Sequence, residues 1–242
     1  MDCAARRHNR PAMSPRLPPP HRRVTATALL AWAALPLGVV VLALAALWWW
    51  RPSLLLPGTR ALEMEGGDPY LRALMRTISA SESNVRRPYH VLHGGGYVQS
   101  LAQHPNRCEA IGAGPNRGNC STAAGRYQLL YSTWLELAAR HHPQRTRDPL
   151  DATRLSFAPP YQDVVVHAWL ADRRAWGMDL SAQLRQGRVR QVLRRLSGTW
   201  TSLGYGIESN RMSGELPRLY QHLVQEELAL LDQAEAGGVS PP

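Results

Sequence analysis

Glu82 is the acid whose setting in the sequence best suits proton transfer. Leu71, Leu74, Met75 and Ile78 recur at i, i+3, i+4 and i+7, behind Asp68 as a helix N-cap and Pro69 at the first helical position. Three turns beyond Leu71 the same face reaches Glu82. A carboxyl on the apolar stripe, at the C-terminal end of its helix, meets desolvation and the negative end of the helix dipole. Both favour the protonated form that a general acid needs. The competing reading stops the helix at Ile78 and leaves Glu82 as a solvated loop acid.

The other chemical groupings are weaker. His90, His93 and His104 lack a cysteine or carboxylate at ligand spacing, so the sequence implies no metal and no cofactor. Arg185, Arg188, Arg190, Arg194 and Arg195 form a basic run. Leu184, Val189, Val192, Leu193 and Leu196 interleave with them as in an amphipathic helix. An anionic cell wall or lipid surface suits that charge, and no nucleic acid is expected. Gly94-Gly95-Gly96 has no Lys or Ser opening a helix behind it, so a hairpin turn explains it better than a phosphate loop.

Three regions position these groups. All 28 basic residues are arginine, against 18 acids. Six of them, Arg6, Arg7, Arg10, Arg16, Arg22 and Arg23, lie in residues 1–23 beside a single acid, Asp2. With Pro18-Pro19-Pro20 and no apolar periodicity, this is a disordered basic arm. Val24 to Trp50 carries no charge. At ~1.5 Å per residue it exceeds the ~30 Å core of a bilayer, so residues 24–50 read as one transmembrane helix.

Basic residues ahead of a first span hold that side cytoplasmic. The expectation is a single-pass protein of the bacterial inner membrane, in contact with its lipid, with the domain behind the span in the periplasm. A cleaved signal peptide is the rival. Its apolar run is ~7–15 residues and ends in small residues, whereas this run ends in Trp48-Trp49-Trp50. Fully soluble and multi-span proteins are both disfavoured. In an oxidising compartment Cys108 and Cys120 suit a loop disulfide.

Residues 51–67 read as linker, 68–236 as one globular domain and 237–242 as a tail. Within the domain, strand-like pieces at Tyr89–Leu92 and Tyr97–Leu101 interrupt the helices. Helical texture resumes near Gly125, starts again at Pro159-Pro160, and continues in short helices around Leu180–Arg185 and Val189–Leu196. A long last helix begins near Ser213 and runs to Gly237. The fold class is α+β, mostly helical, with a small inserted β lobe and a cleft between the lobes.

Four stretches carry a resemblance. They are Ile78-Ser79-Ala80-Ser81-Glu82-Ser83, the glycine-rich stretch through Tyr97, Ala124-Gly125-Arg126-Tyr127-Gln128-Leu129-Leu130, and Ser197 to Gly206. In order and type they resemble the lambda-phage endolysin (lysozyme) family of peptidoglycan lytic transglycosylases. The likeness runs from about Tyr70 to Leu231. It implies a lysozyme-like fold and cleavage of the bond between N-acetylmuramic acid and N-acetylglucosamine in peptidoglycan glycan strands, leaving a 1,6-anhydromuramoyl end. It also implies Glu82 as the catalytic residue, with Ser83, Tyr97, Arg126, Tyr127, Gln128 and Tyr205 around the substrate. Tyr127 and Gln128 would open the helix after Gly125, and Arg126 would meet a peptide-stem carboxylate or solvent. The anchor and the Cys108–Cys120 loop depart from the phage pattern.

The residues are compatible with a one-carboxylate mechanism. After Glu82 no acid occurs until Glu109, whereas ordinary glycoside hydrolysis uses two carboxylates. A hydrolytic muramidase of the same fold and a non-catalytic wall-binding or secretion-assembly protein are the alternatives.

Overall fold

The computed structural model describes residues 56–114, 116–145, 147–206 and 212–236. The basic arm, the apolar run 24–50, most of the linker and the tail lie outside the described residues. Among those described, no helix is long and apolar enough to cross a membrane.

α1 (Pro69–Glu82) begins as the sequence predicts, with the Asp68 carboxylate accepting from the backbone N–H of Tyr70 and Leu71. It reaches Glu82, so the helix does not stop at Ile78. The four-residue stripe is fully covered, and so are Ala73, Thr77, Ser79 and Ala80. α1 therefore runs through the core rather than over it. The stripe's burial does not extend to Glu82, however, which is half-exposed.

α7 (Leu216–Ala236) packs against α1 and buries Leu216, Leu219, Tyr220 and Leu223. Arg76 of α1 bonds Glu226 and Glu227, and Arg72 bonds Glu227. Arg76 and Glu227 are each 2–3% exposed, so their charges are satisfied by each other.

Between these helices lie α2 (Tyr131–His141), α3 (Pro159–Ala171), α4 (Arg173–Trp176), α5 (Leu180–Arg185) and α6 (Val189–Leu196). α5 and α6 fall on the residues that the amphipathic pattern marks. Asp179 caps α5, and Gly177 (φ +68°) closes α4 in the left-handed region. α2 starts six residues later than the expected point near Gly125. Residues 125–128 instead form a turn, with Gly125 at φ +75° and Gln128 at φ +46°. A Cβ at Gly125 would strike the Gln162 side chain and the Phe157 ring, so only glycine fits this approach.

The β region is smaller than expected. Tyr89–Leu92 and Tyr97–Leu101 form 3₁₀ turns and isolated bridges, Val91 to Tyr97 and Leu92 to Ala124. Among the described residues the one sheet is a two-stranded antiparallel pair, β1 (Glu109–Ala110) with β2 (Cys120–Ser121), in register Glu109 to Ser121. Cys108 and Cys120 are disulfide-bonded beside it, their Cα atoms 5.2 Å apart. The sequence predicts only a loop here, because a two-residue strand shows no alternation.

Phe157, the chain's single phenylalanine, centres an aromatic cluster, with Trp134 and His104 each at 4.7 Å between ring centroids. Two histidines in it are held alike. His104 Nε2 donates to the Leu129 carbonyl while Nδ1 accepts from the Asn106 N–H; His142 Nε2 donates to the Ser156 carbonyl while Nδ1 accepts from the Gln144 N–H. His167 Nε2 accepts from the Asp68 N–H. A ring nitrogen that accepts from an amide must be unprotonated, so all three are neutral in the fold. Burial holds each pKa below the ordinary 6.5.

A depressed histidine pKa stabilises the fold fully above the unfolded value and loses that contribution as pH falls through the folded one. Thermal unfolding should therefore give a Tm that is level from pH 8 to 7 and falls progressively below about 6.5. A Tm unchanged between pH 7 and 5.5 would contradict it.

Candidate active site

Glu82 ends α1 as a half-buried residue, on the rim of the core. The Ser202 hydroxyl donates to Glu82 Oε1. Ser81 Oγ lies 2.8 Å from both the hydroxyl and the carbonyl oxygen of Ser202. The Ser202 hydroxyl gives its one proton to Glu82, so it receives from Ser81. The result is a short relay, Ser81 to Ser202 to Glu82, that fixes one carboxyl oxygen and tolerates either charge state of the acid.

Ser202 sits in the 3₁₀ turn Thr201–Leu203, closed by Gly204 at φ +92°, where a Cβ would collide with Ser213. The Ser81–Ser202 pair was missed by sequence reasoning. Its members are far apart along the chain, and the only signal was that each lies in a stretch carrying the family resemblance.

Three of the expected substrate-binding residues are buried. Arg126 is wholly inaccessible. Its guanidinium donates to the carbonyls of Gly58, Arg60 and Ala61, to Ser79 Oγ and to the Tyr89 hydroxyl at 2.7 Å. Tyr127 is equally buried, and its hydroxyl donates to Asp163 at 2.6 Å. Ser83, 2% exposed, donates to the Arg126 carbonyl at 2.6 Å. With every polar atom directed inward, these side chains cannot reach a ligand. They tie the end of α1 to the 125–128 turn, and so set the position of Glu82.

Asp163 and Gln162 on α3 complete this interior network, and neither was singled out from sequence. Asp163 accepts from the hydroxyls of Tyr89 and Tyr127 and from the Glu63 N–H. Burial pushes its carboxyl up, against the pull of Arg126 and the two phenols. Burial likewise pushes up both phenols, so they stay protonated donors. Gln162 accepts from the Arg126 N–H and donates to the Tyr89 and Phe157 carbonyls, which fixes the turn at Gly125.

Gln128, Tyr97 and Tyr205 remain accessible. Gln128 Nε2 donates to the carbonyls of Gly125 and Val91. Val91 pairs with Tyr97, so Gln128 and Tyr97 belong to one edge of the β region. Tyr97 is 41% exposed under Arg87, and Tyr205 is 37% exposed with Arg194 over its ring at 5.5 Å. Both rings offer an apolar face and a hydroxyl tip of the kind that sugars stack on.

His90 and His104 bond backbone carbonyls. Among the described residues no cluster of His, Cys, Asp or Glu could hold a metal. Glu109, the next acid after Glu82, pairs with Arg107 at 3.0 Å on β1.

The domain thus ends its long first helix on a half-buried, hydrogen-bonded glutamate and keeps Tyr97, Tyr205 and Gln128 accessible. The Endolysin family model matches residues 72–226, which include Glu82, Gln128 and Ser202, and the chain belongs to that family. The endolysin of Escherichia phage lambda is 29% identical over 133 residues, covering 54% of this chain and 72% of that protein. Among solved structures, bacteriophage lambda lysozyme complexed with a chitohexasaccharide superposes with a TM-score of 0.48 and 25% identity, over 66% of this chain and 97% of that one. Lysozyme from bacteriophage lambda gives 0.44 and 22%, over 69% and 96%.

Proposed function

We propose that this chain is a membrane-anchored lytic transglycosylase that cleaves the MurNAc–GlcNAc bond of peptidoglycan with Glu82 alone. The observation that carries the reading is the setting of Glu82 within the family-matched region: a half-buried glutamate at the end of α1 that accepts from Ser202, while two other acids of the domain are engaged elsewhere. Glu109 is paired with Arg107 and Asp163 is buried among donors.

In the first half of the reaction Glu82 gives its proton to the glycosidic oxygen as the bond to the muramyl anomeric carbon breaks. The muramyl 6-hydroxyl oxygen then bonds that carbon, and its proton returns to the Glu82 carboxylate. No water is consumed and the acid is regenerated. Because the nucleophile belongs to the substrate, effective molarity does the work of an activated water. Tyr97 and Tyr205 would supply stacking faces, and Gln128 would contact an N-acetyl group. Sacculi treated with the full-length protein should release muropeptides; intact sacculi would overturn the reading.

The anchor rests on the uncharged run Val24–Trp50 behind six arginines. It places the domain in the periplasm against its wall substrate. A periplasm-active reporter fused after Pro242 should be active and the same reporter fused ahead of Ala26 silent. The reverse pattern would reject this orientation.

A further inference from the structure

α6 buries Val189, Val192, Leu193 and Leu196, which turns Arg190, Arg194 and Arg195 outward behind an exposed Arg188. None of these four arginines joins an ion pair with an acid among the described residues. Arg190 and Arg194 are one turn apart, where like charges repel. The row therefore costs stability unless an anion occupies it.

The row also leads away from the glutamate. Arg194 covers the Tyr205 ring, and the charges of Arg190 and Arg194 both act on the Tyr205 hydroxyl. Tyr205 follows Ser202, the partner of Glu82, by three residues, a reach of at most ~10 Å. At its other end Arg190 joins Arg188 and Arg218 around a depression of about 540 Å³ whose lining includes the buried Val189 and Pro217, with Gln221 beside them.

Resting on the glycosidase reading above, we propose that this tract binds the peptide stems of the glycan strand, short peptides of alanines and diacids with free carboxylates. Guanidinium forks match carboxylates in charge and geometry, and Val189 and Pro217 add a small apolar contact at the floor of a mostly polar depression. An anionic bilayer is the poorer fit. It would lie across a concave site, and a membrane-seeking face carries exposed large apolar residues, whereas those of α6 are all turned inward.

The test compares kcat/KM of the full-length protein on peptide-bearing glycan strands and on the same strands stripped by an amidase. The wild type should prefer the former, and Arg190→Gln/Arg194→Gln should cut that preference at least about tenfold, mainly through KM. Added salt should erode the wild-type preference in the same way. An unchanged preference, or an equal loss on both substrates, would overturn the proposal. So would a defect seen only when anionic vesicles are present, which would assign the tract to lipid. Titration of a free acidic stem tripeptide into Glu82→Gln reads binding without turnover. Binding there, with no cleavage by the wild type, would sink the glycosidase reading and leave the stem site standing. No binding at millimolar peptide would sink the stem site itself.

Discussion

Glu82→Gln should fold as the wild type does and lose nearly all turnover. The amide keeps an oxygen to accept from Ser202, so the relay and the end of α1 are preserved, and the side chain is half-exposed, so its exchange should leave Tm unchanged. What the amide cannot do is give up and recover a proton. General acid–base catalysis contributes ~10²–10⁴-fold, and kcat on sacculi should fall by at least that. Glu109→Gln, which only loses its pairing with Arg107 on β1, should stay close to wild type. Muropeptide release by Glu82→Gln at the wild-type rate would reject the mechanism. Equal inactivity of Glu109→Gln would point to a two-carboxylate muramidase.

Asp163→Ala should have the largest effect on stability. The substitution strands two buried donors, the hydroxyls of Tyr89 and Tyr127, and leaves the Glu63 N–H only its longer bond to the Tyr89 oxygen. It also removes the anion that balances Arg126, reached through the Tyr89 hydroxyl. Breaking a buried charged network in this way costs ~3–5 kcal/mol, a Tm lower by ~10 °C for a domain of this size. Calorimetry would measure it. Because the same network holds the turn that Ser83 ties to α1, activity should fall at temperatures well below the new Tm. A cost under ~1 kcal/mol would show that the network is not what secures this turn.

The helices were legible where one face meets the core. The cap at Asp68-Pro69 and the stripe through Ile78 placed α1, and the alternation of arginine with leucine and valine placed α5 and α6. The Gly125-Arg126-Tyr127-Gln128 string was legible as important but not in its direction. Continuing a helix from Gly125 put Arg126 and Tyr127 toward the substrate, whereas positive φ at Gly125 and Gln128 makes a turn that sends both inward. An arginine with no accessible surface runs against the usual preference of that residue; it is possible because every donor has an oxygen to meet. The disulfide followed from the cysteine spacing and the expectation of an oxidising compartment, but the strands beside it could not, since two residues carry no period. Ser202 was hidden for another reason: a serine–glutamate contact across 120 residues of chain leaves no local signature.

The central claim is that one glutamate cleaves the strand with the substrate's own hydroxyl as nucleophile, and product mass tests it most directly. Sacculi digested by the full-length protein in heavy-oxygen water should yield muropeptides one water lighter than their reducing counterparts, with no solvent oxygen at the new end. Reducing ends that carry the heavy oxygen would show that water is the nucleophile, and the transglycosylase account would be wrong.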